Sequence, residues 1–84
     1  MTENLVLTGP LEQLRGVIGR YPEKGQSVIF EFDSVQSRSV HMVGVPRPLA
    51  VTFSAEGEVV REEVLEAWTG HATALCDRVV ERRP

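Results

Sequence analysis

The chain has 84 residues, 42% apolar and 25% charged, with nine basic and twelve acidic side chains and a formal charge of -3. Such a balance excludes a disordered chain, and the length leaves room for one domain, 1–84. The charge is too mild to point to nucleic acid or an acidic membrane surface, and the single cysteine, Cys76, excludes an internal disulfide.

The first residues, Met1-Thr2-Glu3-Asn4, are neutral or acidic. The apolar run that follows, Leu5-Val6-Leu7, is too short for a signal peptide. No stretch approaches the roughly 20 apolar residues of a membrane span, so a cytoplasmic protein is expected.

A helix is predicted over Pro10–Arg20. Gly9 suits the N-cap, Pro10 the first helical position and Glu12 the positive end of the dipole. Leu11, Leu14, Val17 and Ile18 recur at helical spacing, although Gly16 and Gly19 weaken it. Tyr21-Pro22 ends the segment. Gln26 to Asp33 alternates like a half-buried strand, with Phe30 and Phe32 inward. Ser37 to Val45 is a second strand, with Val40 and Met42 inward. Pro46 and Pro48 interrupt, because neither can donate to a ladder. Leu49, Val51 and Phe53 then mark a third strand. Ser54-Ala55-Glu56-Gly57 reads as a hairpin turn into a fourth, Glu58 to Leu65.

The tail carries a competing signal. Val60, Val64, Trp68, Ala72, Leu75 and Val79 are spaced by three or four, which locally predicts helix over Arg61–Trp68 and His71–Arg82. Thr69-Gly70 breaks that stripe in its middle.

Candidate chemistry is sparse. His41, His71 and Cys76 lack metal-ligand spacing, so no metal site is read. Cys76 lies between Leu75 and Asp77, where a small thiol packs and a neighbouring carboxylate raises its pKa, so no nucleophile is read either. Glu31 and Asp33 share one strand face, which as a solvated face needs no function. Arg78, Arg82 and Arg83 are interleaved with Asp77 and Glu81 and have no aromatic among them, so nucleic-acid binding is not expected.

Taken in order, three segments and a hairpin resemble a known family. They are Arg15-Gly16-Val17-Ile18-Gly19-Arg20, then Val28-Ile29-Phe30-Glu31-Phe32, then the run from Val40-His41-Met42 through Pro46-Arg47-Pro48 to Phe53, then the Gly57 hairpin. Together they resemble the domain of unknown function 192 family. The His41-Met42 pair and Trp68-Thr69-Gly70 are similar to its archaeal, halophile-type branch. The resemblance runs from about Leu14 to Glu81. It implies a compact β-rich fold and no established activity, cofactor or substrate. Gly44, Val45 and Ala50 stand where the family pattern has asparagine, threonine and aspartate, the polar groups that would make up a family site. The resemblance also implies strands over Glu58–Glu66 and roughly Ala74–Glu81. Strand is adopted for Glu58–Leu65, where β-branched Val59, Val60 and Val64 suit it. For 72–82 strand and helix both stay open. The family pattern continues into a further turn and strand, so an exposed or dimer-paired sheet edge is expected near the C-terminus.

The expected fold is thus α+β, mainly antiparallel β: a small curved sheet or partial barrel with one N-terminal helix. Phe30, Phe32, Met42, Leu49, Val51 and Phe53 should form the core, with Leu14, Val17 and Ile18 from the helix. The expected function is a non-catalytic binding or accessory module of unknown ligand, without cofactor or metal. Its binding residues would be Arg15, Arg20, His41, Met42 and Trp68. One alternative is a small hydrolase or transferase using His41, Arg20 and Glu31 or Asp33, since an imidazole beside a carboxylate and an arginine can move protons and hold an anion. Another is an oligomer-forming module, a homodimer through a sheet edge.

Overall fold

The computed structural model describes residues 4–8, 13–15 and 23–84. It contains six strands: β1 (Asn4–Thr8), β2 (Gln13–Arg15), β3 (Ser27–His41), β4 (Leu49–Ala55), β5 (Glu58–Leu65) and β6 (His71–Arg82). They form one sheet in the order β1-β3-β6-β4-β5, with β2 also on β3. The pairs β3–β6, β6–β4 and β4–β5 are antiparallel, and β1 and β2 run parallel to β3. The mainly antiparallel part of the expected fold is therefore present. No helix occurs among the described residues, and none there is long and apolar enough to cross a membrane.

The helix expected over Pro10–Arg20 is corrected in part. Gln13–Arg15 are in β2, in register with Ser39–His41, and the rest of that segment lies outside the described residues. Gly16 and Gly19 lower helix propensity, and the second half of β3 offers an edge that satisfies the same backbone groups. The expected core positions Leu14, Val17 and Ile18 belong to this segment, and their side chains are not described.

The two strands predicted over Gln26–Asp33 and Ser37–Val45 are one bent strand, ending at His41. Its register against β6 shifts between Glu31 and Gln36. Arg38 fills that irregularity. Only 3% exposed, it donates from Nε to the Cys76 carbonyl at 3.2 Å and from Nη2 to the Ser34 carbonyl at 2.9 Å. Its guanidinium carbon lies 3.7 Å from the Phe32 ring centroid. A buried cation is costly unless paired or hydrogen-bonded, and here backbone oxygens and an aromatic face supply the partners.

The predicted hairpin is observed. Ala55 pairs with Glu58 across a two-residue turn in which Glu56 and Gly57 have φ of +51° and +85°. Both positive values mark the turn type that matches strand twist, and glycine adopts it without penalty. The Glu56 N–H also points at both Asp77 carboxylate oxygens, each at 3.3 Å, which docks the turn on β6. The sheet curls enough for Arg61 of β5 to donate from Nη1 to the Thr73 carbonyl of β6 at 2.8 Å. No ladder joins these two strands, so the sheet is not closed.

Phe30, Met42, Leu49, Val51 and Phe53 are buried in one cluster as expected, and Phe32 packs against it. Val28, Val40, Val45, Leu65, Ala72, Cys76 and Val79 complete it. The expected sheet edge near the C-terminus is not found. Val79–Arg82 lie between β3 and β4, with ladders on both sides. One edge of the sheet is β5, where Val59, Val60 and Val64 are exposed.

Candidate functional site

Of the sequence-predicted binding residues, His41 is the best placed. It closes β3 directly opposite His71, which opens β6. Just beyond this rung the Met42 N–H donates to the Gly70 carbonyl at 3.0 Å. That bond makes 41–71 a non-hydrogen-bonded rung, the kind whose Cα atoms approach to about 4.5 Å and whose side chains sit closest. Two residues along the same face, the Ser39 and Thr73 hydroxyls are 2.9 Å apart, so side chains on these rungs do meet. On the other side of His41, Arg15 of β2 stands in register with it. Arg15, His41 and His71 thus form one row across three strands.

Trp68 comes to the same end of the sheet through a short loop. The Trp68 N–H donates to the Val45 carbonyl at 2.9 Å, the Thr69 N–H to Ala67 at 2.8 Å and the Gly70 N–H to Glu66 at 3.0 Å. Gly70 is required here, because a Cβ would lie 2.6 Å from the Glu66 nitrogen and 2.7 Å from its oxygen. Trp68 itself has φ of +67°, a region bulky side chains avoid, yet it is 58% exposed. Strain is therefore retained while a large aromatic side chain faces solvent. Val43, 67% exposed, projects from the neighbouring turn that the Val45 N–H closes on the Met42 carbonyl at 2.9 Å.

Two expected site residues are not brought there. Met42 is fully buried in the core and offers a ligand no surface, because its position alternates inward with Val40. Arg20 lies outside the described residues. One carboxylate of the enzyme alternative is also misplaced. Glu31 pairs opposite Arg78, seven residues along β6 from the His71 rung, about 23 Å of strand. Glu31 lines a different concavity, of about 370 Å³, with Phe32, Asp77 and Arg78. No imidazole lines it, so Glu31 is not brought to His41.

His71 is the residue that sequence reasoning left out of the site. Only the β3–β6 register reveals its partner, thirty residues away in the chain. The His41 Nδ1 is buried with no hydrogen-bond partner. Among the described residues no group of three or more His, Cys, Asp or Glu side chains converges. The Cys76 thiol is buried on the core side, and desolvation pushes its pKa up, with Arg38 pulling it down less strongly. A protonated, enclosed thiol is inert, as its sequence context suggested.

The core holds one further ionisable group. Glu81 stands between Val28 and Val51 in register and is fully buried. Neither carboxyl oxygen has a hydrogen-bond partner, and burial pushes its pKa up to about 9. It is a neutral acid at pH 7, remote from the His41–His71 rung.

No protein-family model, curated protein or solved structure matches this chain.

Proposed function

We propose that the protein is a non-catalytic binding module whose binding face is the end of the sheet carrying Arg15, His41, His71 and Trp68. The observation that carries this reading is the exposed indole of Trp68, kept on a left-handed backbone by a loop hydrogen-bonded to Val45. Strained backbone under an exposed aromatic is a recurring mark of ligand contact. The neighbouring row adds polar anchors to an apolar platform, the composition of a small-molecule site. An aromatic ligand bearing an acidic group fits that chemistry. The resemblance to the domain of unknown function 192 family belongs to the same proposal. It implied strands over Glu58–Glu66 and roughly Ala74–Glu81 against the local helical pattern, and the observed strands there are Glu58–Leu65 and His71–Arg82.

A fragment library of aromatic acids, screened by thermal shift, tests the reading. Hits should raise the melting temperature of the parent chain and fail with His41→Ala and Trp68→Gly. Hits that bind both variants unchanged would place the site elsewhere.

The exposed β5 edge favours a second reading, self-association. Val59, Val60 and Val64 are exposed on a strand with one side unpaired in the sheet, a template for a second copy. Light scattering at high concentration should then show a dimer that Val60→Lys disperses, and a monomer throughout would remove this reading.

A further inference from the structure

The His41–His71 rung has a chemistry of its own. Imidazole is a common ligand for borderline metals, and chelation needs two of them fixed close together on one face. A non-hydrogen-bonded rung supplies that, with Cβ atoms about 4.5–5.5 Å apart on rigid strands. Here the rung is locked by the Met42–Gly70 hydrogen bond on one side and the touching Ser39 and Thr73 hydroxyls on the other. The His41 Nδ1 is buried with no hydrogen-bond partner.

We propose that His41 and His71 form a two-imidazole site for a borderline divalent transition-metal ion such as Zn2+. This rests on the reading that this end of the sheet is the binding face, and it names a ligand class for it. No third His, Cys, Asp or Glu joins the pair among the described residues, so the remaining coordination positions belong to water or to an incoming ligand.

The test is a Zn2+ titration of the full chain, followed by the imidazole nitrogen resonances in NMR. The expected result is one saturating curve in which the rings of His41 and His71 shift together. His41→Ala and His71→Ala should each weaken binding about tenfold or more, because the survivor binds as a single ligand. Rings that do not respond, or variants that bind Zn2+ as well as the parent, overturn the metal assignment. If aromatic acids still bind in a Trp68-dependent way, only the metal assignment falls. If they do not, the binding face falls with it.

Discussion

The guanidinium carbon of Arg38 lies 3.7 Å from the centroid of the Phe32 ring, inside the register shift of β3. The same side chain serves the carbonyls of Ser34 and Cys76, so one residue holds the bend and joins β3 to β6. Arg38→Ala leaves both carbonyls short of a donor and removes the cation–π contact. It should destabilise the protein by about 2–4 kcal/mol in urea unfolding. Arg38→Lys should recover only part of this, because an ammonium lacks the planar fork. Parent-like stability of Arg38→Ala would show that the bend needs no staple.

Glu81 makes the pH dependence of stability predictable. Its folded pKa, about 9, stands far above the ordinary 4.5 because burial disfavours the charged form. The folded state therefore holds a proton that the unfolded state releases. Glu81's contribution is fully present below about pH 4.5 and is lost progressively as pH rises toward 9. The limiting slope for one proton is about 1.4 kcal/mol per pH unit. Glu81→Gln should flatten the profile between pH 5 and 9 in chemical denaturation. An unchanged slope would place the responsible group elsewhere.

The loop bearing Trp68 should show a trade between stability and binding. Trp68→Gly removes the penalty of a φ of +67° and gives up a side chain that is largely exposed. Stability should rise by about 1 kcal/mol while ligand response is lost. Gly70→Ala should do the reverse and destabilise by about 2 kcal/mol or more, since its Cβ would meet the Glu66 backbone at 2.6 Å. Thermal denaturation of the two variants checks both signs. A less stable Trp68→Gly would mean that the indole is packed rather than presented.

The apolar alternation of β3 and β4 and the Glu56-Gly57 turn were legible because period two and a positive-φ glycine are local signals. The tail was not. Ala72, Cys76 and Val79 are all inward, spaced by four and three, and so imitate a helix. The cause is a change of facing along β6. Ala72 and Cys76 point inward at even positions, Val79 and Glu81 at odd ones, with the change falling opposite the register shift of β3. Val60, Val64, Trp68 and Leu75, which completed the apparent stripe, are exposed. A bulge is set by packing between strands, and nothing in one strand's own sequence announces it. The same limit hid the site. His41 was identifiable as an unusual residue, but its partner His71 is set by long-range register, and Met42 was inward by plain alternation.

The most direct measurement is the amide NMR spectrum of the chain titrated with an aromatic acid from the screen. Binding at this end of the sheet predicts shifts concentrated at His41, Val43, Trp68 and His71, with the amides around Glu31 and Arg78 still. Shifts centred instead on the Glu31–Arg78 concavity would contradict it.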